Sequence, residues 1–186
     1  MKIASSLDGK SHIESEERTI ITSKASRDDV QILRASCDAI LTGGNTLRND
    51  NPRMNARVNF PTNQPKKILL TSKDCDKELN FFKDNDVQIY KNKDLAQIIK
   101  SFKDQDFCSI LIEAGPKLAN SFLQLGLVDE IISYTSNNEL GDKAVSWFKE
   151  NNAIENYGFK LESSYKIDSD IKAVSYTHLT LPTTYH

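Results

Sequence analysis

The sequence predicts an α/β protein with a mainly parallel central sheet, helices on both faces of that sheet and an antiparallel edge near the C-terminus. Along most of the chain, short apolar runs alternate with segments whose apolar residues recur at helical spacing, as in parallel strands joined by helices. Residues 159–162 and 167–174 are instead two successive strand patterns separated by a polar bend, and such a pair is antiparallel. With 186 residues and 38% hydrophobic content, the chain can bury the core of one domain, which we place at residues 1–174.

Each element in the first half follows from a local signal. The first strand begins almost at Met1, so we expect its start to be truncated, and the polar residues 11–18 that follow a turn are typical of an exposed loop. A helix begins at the N-cap residue Ser23 and ends near Cys37, because its apolar residues recur along one face. Apolar runs predict strands at residues 2–6, 39–42, 66–72 and 87–90, and apolar spacing predicts a short helix at 76–85 and an amphipathic helix at 95–102.

The second half is organised around residues 108–130. A short apolar run at residues 110–112 stops at Glu113, and apolar residues then recur at helical spacing from Pro116 until Gly126 ends the helix. Glu113 thus lies at the carboxyl end of a buried strand, beside the free amides of a helix N-terminus, where open α/β sheets bind ligands and where a diphosphate fits. A simple turn with a helix-capping carboxylate is the alternative. A strand at 130–134 and a helix at 143–151 with two buried aromatic residues complete the prediction.

Two other segments have both a functional and a structural interpretation. Residues 43–46 follow a predicted strand and contain two glycines, which let a backbone approach a ligand closely, although neither G-x-G-x-x-G nor a Walker lysine occurs in the chain. Residues 47–57 carry three arginines among turn-forming residues and are either a mobile polar loop or an anion-binding loop. On its helix, Arg34 flanks the apolar stripe, and the pattern alone favours a solvated arginine.

Composition excludes several function classes. A formal net charge of −2 predicts neither nucleic-acid binding nor attraction to an anionic membrane, and no apolar run approaches the length of a membrane span. Cys37, Cys75 and Cys108 form no C-x-x-C pair, so we expect reduced, buried thiols in a cytoplasmic protein. The three histidines and the cysteines show no metal-ligand spacing, so we expect no metal site. Residues 175–186 contain no Asp, Glu, Lys or Arg, and we interpret this tail as non-native.

Taken together, these motifs resemble the reductase domain of the bifunctional riboflavin-biosynthesis deaminase/reductase. The resemblance rests on their order and spacing: KIASSLDGK at 2–10, ITS at 21–23, LRA at 33–35, DAILTG at 38–43, Thr46, DNP at 50–52, Arg57, EAGP at 113–116 and GLVDE at 126–130. It implies a dihydrofolate-reductase-like fold, a homodimer and an NADPH-dependent reduction of the ribosyl group of 5-amino-6-(5-phosphoribosylamino)uracil to a ribityl chain. The zinc-deaminase motifs are absent, so the deaminase domain is missing from this chain.

The resemblance also implies roles for individual residues. Glu113 and Lys2 are the candidate catalytic residues, with Glu113 holding the pyrimidine or the opening sugar and Lys2 pairing with it, assisting proton transfer or merely ending a strand. The implied substrate-binding residues are Arg18, Arg34, Met54, Arg57 and Glu113. The implied cofactor-binding residues are Ala4, Ile20, Thr46, Asp50, Ser72, Gly115, Pro116, Lys117, Leu118, Ala119, Asn120 and Ser121.

Two of these positions depart from the family pattern. Arg18 takes the place of a serine that meets the substrate, and Ile20 takes the place of a tryptophan that flanks the cofactor. Two alternatives to the implied reaction therefore stay open. The first is a reductase of the same fold acting on another pterin-like or pyrimidine substrate, and the second is a non-catalytic nucleotide-binding module.

Overall fold

The structure is a computed structural model that describes residues 1–14, 19–84, 87–91, 94–148 and 154–177. The strands are β1 (Lys2–Ser5), β2 (Lys10–Ile13), β3 (Ala39–Gly43), β4 (Lys66–Leu70), β5 (Val87–Tyr90), β6 (Ile110–Ile112), β7 (Glu130–Thr135), β8 (Ala144–Ser146), β9 (Lys160–Ile167) and β10 (Asp170–Tyr176). The α-helices are α1 (Lys24–Ala35), α2 (Gly44–Asp50), α3 (Leu95–Phe102) and α4 (Pro116–Gln124), with 3₁₀ turns at Asn80–Phe82, Lys103–Gln105 and Ile154–Tyr157.

The strands of the described residues form two four-stranded sheets and a two-stranded ribbon. One sheet has the order β5-β4-β3-β6 and is parallel throughout. The other has the order β1-β7-β10-β9, in which β1 and β7 are parallel while β10 runs antiparallel to both of its neighbours. The predicted α/β class and antiparallel C-terminal edge are therefore confirmed, although the strands form two four-stranded sheets rather than one.

Helices cover both faces of the parallel sheet, as predicted. Leu41 of β3 packs in one buried cluster with residues of α3 and α4, including Phe102 and Phe122. Its neighbour Ile40 points the other way and packs with Leu47 of α2. Successive residues of a strand face opposite sides, so a strand buried on both faces has a continuous apolar sequence, as β3 does.

The predicted helix at residues 143–151 is wrong where the structure describes it. Residues Ala144–Ser146 form β8, which pairs antiparallel with β2. Trp147 is buried as predicted, and its indole N–H donates to the backbone carbonyl of Ala4 at 2.6 Å. The ribbon also corrects the predicted exposed loop at residues 11–18, whose first three residues belong to β2, whereas residues 15–18 lie outside the described part of the chain.

Three smaller expectations also change. The first four residues of the predicted loop 47–57 are helical, because α2 runs from Gly44 to Asp50. The predicted helix at 76–85 is reduced to the 3₁₀ turn Asn80–Phe82. The three cysteines are free as expected, but none is fully buried: Cys37 and Cys75 are partly exposed and Cys108 is exposed. Strand β10 continues to Tyr176, while residues 178–186 lie outside the described part of the chain.

Candidate active site

A large open cleft of about 2110 Å³ lies at the carboxyl ends of β3 and β6. These strands are parallel neighbours, with Leu41 opposite Ile112, so both end at the same edge of the sheet. In the sheet, β4 lies on one side of β3 and β6 lies on the other, so the strand order changes direction at β3. The carboxyl ends of β3 and β6 therefore form a topological switch point, where α/β proteins bind ligands.

Most of the residues expected at a functional site line this one cleft. The predicted residues among its walls are Lys2, Ala4, Ile20, Arg34, Thr46, Asp50, Met54, Arg57, Ser72, Glu113, Gly115, Pro116, Lys117, Leu118 and Ser121. Two predicted positions do not line it: Ala119 is buried in the core, and the Asn120 side-chain amide donates to the backbone carbonyls of Pro116 and Trp147. Arg18 lies outside the described residues.

Glu113 forms the charged centre of the cleft. It follows β6 directly, and its backbone N–H donates to the Leu41 carbonyl at 2.9 Å, which extends the parallel pairing by one residue. Arg34 from α1 grips its carboxylate with two hydrogen bonds, Nε to Oε1 at 2.6 Å and Nη2 to Oε2 at 2.9 Å. The Lys2 ammonium completes the cluster as an ion pair, 3.7 Å from Oε2. The structure thus joins residues that lie far apart in the sequence.

The charges of this cluster depend on one another. Burial alone would raise the pKa of Glu113, which is only 5% exposed, but the positive charges of Arg34 and Lys2 outweigh burial and hold it at about 2. Burial would likewise lower the pKa of Arg34, and the Glu113 carboxylate more than offsets this and raises it. Both partners are therefore ionised at neutral pH, and Glu113 is a hydrogen-bond acceptor rather than an acid.

Another part of the cleft wall is formed by the start of α4. Gly115 is its N-cap, Pro116 occupies the first turn, and neither a side-chain cap nor an acidic residue occupies that turn. The Gly115 N–H donates to Thr46 Oγ1 at 3.2 Å, which ties α4 to α2. An uncapped helix N-terminus offers backbone N–H groups and a partial positive charge, and both favour an anion.

Close backbone packing explains the two glycines at the end of β3. A Cβ at Gly44 would lie 2.5 Å from Thr71 Oγ1, and a Cβ at Gly43 would lie 3.0 Å from the side chain of Leu118. The glycines therefore let the ends of β3 and β4 and the start of α4 come together around the cleft. Sequence reasoning identified the close approach but assigned it to a ligand.

Sequence reasoning missed a polar network along the cleft floor. Tyr134 of β7 is 1% exposed and also lines the cleft, opposite Ala4 of β1 in the strand register. Its hydroxyl donates to the Asp29 carboxylate of α1, which Lys172 of β10 also contacts at 2.7 Å. Burial and Asp29 both raise the pKa of Tyr134, so its hydroxyl stays protonated. The signal that could have revealed this network in the sequence is Tyr134 itself, a tyrosine within a predicted strand, because a buried hydroxyl needs a hydrogen-bond partner.

Two other features, a cluster of metal-ligating side chains and a membrane-spanning helix, are absent from the described residues. No group of three or more His, Cys, Asp or Glu side chains is placed to hold a metal ion there. Among the helices in that part of the chain, none is both long enough and apolar enough to cross a membrane.

The sequence of this chain matches one protein family over most of its length. A sequence model described as the RibD C-terminal domain matches residues 1–173. The chain is 30% identical to the riboflavin biosynthesis protein RibD of Buchnera aphidicola, an alignment that covers 96% of this chain and 59% of the relative. It is 31% identical to RibD of Escherichia coli, over 77% of this chain and 49% of the relative. The chain thus spans about half the length of these curated relatives.

A solved structure agrees with the fold. Form 1 of Acinetobacter baumannii RibD superimposes with a TM-score of 0.85 and 30% sequence identity, covering 94% of this chain and 56% of that one. Most of the chain therefore has a counterpart of known structure.

Proposed function

This chain belongs to the RibD C-terminal domain family, and from that premise we propose that it is an NADPH-dependent reductase of riboflavin biosynthesis. The proposed reaction converts the ribosyl group of 5-amino-6-(5-phosphoribosylamino)uracil to a ribityl chain. The observation that carries the proposal is that one cleft joins the Glu113–Arg34–Lys2 cluster to the uncapped start of α4. The first suits a polar, charged substrate and the second a dinucleotide diphosphate.

The residues around α4 fit a dinucleotide. The first turn of α4 lacks a carboxylate that would repel the diphosphate, and the neighbouring Thr46 and Ser121 line the same cleft with hydroxyl groups. The cations Arg48 and Lys73 line the same cleft as Ser72, which supports NADPH over NADH because they would favour an additional phosphate group. When bound, NADPH supplies the hydride.

Glu113 is proposed to act from the substrate side as an ionised acceptor. Each of its carboxylate oxygens already accepts one hydrogen bond from Arg34 and retains capacity for another. In the proposal, Glu113 accepts a hydrogen bond from a substrate N–H or O–H group and favours positive charge that develops at the ribosyl C1′. Its low pKa means that it does so over the whole neutral range.

Lys2 is the proposed proton donor of the cluster. Its side chain is 20% exposed, so it reaches both Glu113 and the solvent-filled cleft. The sugar oxygen that is released when the ribosyl ring opens must take up a proton. The Lys2 ammonium can donate a proton, whereas the Glu113 carboxylate, which Arg34 keeps ionised, cannot.

Arg34 and Arg57 are given different tasks. Three nitrogens of Arg34 already donate to protein oxygens, two to Glu113 and Nη1 to the Asn55 carbonyl at 3.4 Å. Arg34 is therefore proposed chiefly to orient and neutralise Glu113, while Arg57, with Met54 beside it in the cleft wall, faces the phosphoribosyl end of the substrate.

The remaining parts of the proposal concern the protein's assembly and location. Pairing as a homodimer is implied by the family resemblance alone. A cytoplasmic location is supported by three cysteines that are free rather than disulfide-bonded.

The proposal is tested by incubating the purified chain with the phosphoribosylamino-pyrimidinedione and either NADPH or NADH. We expect loss of the reduced-nicotinamide absorbance with NADPH and a product two hydrogen atoms heavier than the substrate by mass spectrometry. Binding of NADPH without any turnover would refute the proposed substrate, and equal binding of NADH and NADPH would refute the cofactor preference.

A further inference from the structure

The loop formed by residues 51–57, called here the substrate loop, has a backbone that needs external support. It follows α2 and contains two non-glycine residues with positive φ, Asn51 at 39° and Met54 at 52°. Asparagine tolerates this region, but methionine rarely adopts it. Such conformations persist where the surrounding structure holds them in place. The contacts of this loop therefore show what fixes it.

One carboxylate holds the loop on both sides of Met54. Asp84 accepts two hydrogen bonds from Arg53, from Nε at 2.6 Å and from Nη2 at 2.7 Å, and a longer one from the Asn55 side-chain amide at 3.4 Å. Asp84 does not line the cleft, whereas Arg53 and Met54 do. The fork geometry of the arginine–carboxylate pair fixes direction as well as distance.

The segment that carries Asp84 is itself anchored in the core. Phe81 is fully buried and packs in the same cluster as Met54. Its backbone carbonyl accepts a hydrogen bond at 2.9 Å from Lys67, a fully buried lysine of β4. The Asn80 N–H also donates to the Asn51 side chain at 2.8 Å. Asp84 is therefore presented to the substrate loop from a fixed base.

The other side of the substrate loop reaches the charged centre of the cleft. The Asn55 carbonyl accepts from Arg34, the residue that grips Glu113. The Arg57 backbone N–H donates to the side chain of Gln31, which lies one helical turn before Arg34 on α1. A shift of the loop would therefore move both arginines assigned to the substrate side.

We propose that Asp84 is a positioning residue for the reaction: through Arg53 and Asn55 it fixes the substrate loop, and through the loop it sets the places of Arg34 and Arg57. This inference rests on the proposed function, because it names the groups that the substrate meets. Asp84 itself does not line the cleft, so it acts through the loop.

A role in positioning and a role in stability predict different outcomes: the first changes substrate kinetics, and the second changes only the thermal midpoint. The Arg53 side chain is 55% exposed and Asp84 is 25% exposed, and exposed ion pairs contribute little to unfolding free energy. Loss of the pair should therefore leave the thermal midpoint almost unchanged, whereas small misplacements of substrate-positioning groups have large kinetic effects.

The decisive variant is Asp84→Asn, compared with Asp84→Glu and with the control Asp74→Asn. Asp74 makes an equally short ion pair with Lys91, at 2.7 Å, but does not contact the substrate loop. We expect Asp84→Asn to raise KM for the phosphoribosyl substrate roughly tenfold while the Kd for NADPH stays within about twofold. Asp84→Glu should recover part of the loss, and Asp74→Asn should resemble the wild type.

A second readout needs no substrate. Hydrogen exchange of the amides at residues 51–57 should accelerate in Asp84→Asn, with no change at residues 115–121. Arg53→Gln should reproduce most of the effect, and the double variant should cost less than the sum of the two single ones, because both changes break the Arg53–Asp84 contact. Unchanged KM, unchanged exchange in the loop, or an equal loss of NADPH binding would overturn the proposal. If wild-type protein does not turn over the substrate, the proposed function fails, and hydrogen exchange still decides whether Asp84 holds the loop.

Discussion

Replacing Arg34 with methionine is the sharpest perturbation of the charged centre. The substitution keeps an unbranched, though shorter, side chain and removes both hydrogen bonds to Glu113. Glu113 then stays buried, with Lys2 at 3.7 Å as its one remaining cation among the described ion pairs. A buried carboxylate that loses its principal partner either destabilises the fold or takes up a proton.

The expected magnitude follows from the pKa of Glu113. A value of about 2, against an ordinary value of 4.5, corresponds to about 3 kcal/mol of stabilisation at neutral pH. Removing one partner of a buried ion pair costs about 3–5 kcal/mol. The two figures agree, and in a domain of this size they correspond to a fall in Tm of roughly 6–20 °C.

The difference in unfolding free energy between the wild type and Arg34→Met should depend on pH. In the wild type the folded pKa is lowered, so the stabilisation is present above pH 4.5 and is lost as the pH falls toward 2. In Arg34→Met burial dominates and raises the pKa of Glu113, so the variant gains stability as acidification protonates that carboxyl. The free-energy gap between the two proteins should therefore narrow from pH 7 to pH 4.

Urea unfolding at several pH values measures this gap directly. Lys91→Met is the matched control, because its ion pair with Asp74 is exposed and screened by solvent, so its loss should leave the free energy of unfolding almost unchanged. A gap below about 1 kcal/mol for Arg34→Met at pH 7, or a gap that does not change down to pH 4, would refute the reasoning.

The remaining predictions concern the framework of the cleft. Gly44→Ala places a Cβ 2.5 Å from Thr71 Oγ1, so the variant should lose about 1–3 kcal/mol of unfolding free energy and bind NADPH more weakly. In Gly43→Ala the new Cβ meets the flexible side chain of Leu118 at 3.0 Å, so this variant should lose less. Equal losses in urea unfolding would contradict the packing argument. Asp170→Ala removes a buried acceptor at the start of α1 and should cost about 1–3 kcal/mol. Because its hydrogen bonds outweigh burial and hold the pKa of Asp170 below 3.8, that cost should persist in unfolding experiments down to about pH 4, and a cost that disappears by pH 5 would argue against an ionised acceptor.

The parts of the fold that sequence predicted best are those with strong local signals. Strand β6 is a short apolar run, and α4 ends where Gly126 adopts a φ of 63°. Strand β8 was missed because its three residues precede the aromatic pair Trp147 and Phe148 and resemble one face of a helix. Its pairing with β2 is a contact between distant segments, which no local pattern contains.

The candidate site likewise combines features that a local sequence pattern predicts with features that depend on contacts between distant segments. The position of Glu113 at a strand end follows from the sequence, and the family resemblance indicated Arg34 as a substrate-side residue. That the two form a bidentate pair across 79 residues depends on how α1 packs against the sheet. Tyr134 and Asp84 had no motif, because their roles come from strand register and from a loop contact.

The most direct test of the account is to compare wild-type protein with Glu113→Gln, which keeps the shape of the side chain and removes its charge. The measurement is kcat for NADPH-dependent reduction of the phosphoribosyl substrate, together with the Kd for NADPH, on samples shown by circular dichroism to be folded. The account predicts that kcat falls roughly 100-fold or more while the Kd for NADPH changes less than about twofold. Full activity in Glu113→Gln, or loss of NADPH binding together with activity, would contradict a substrate-side role for Glu113.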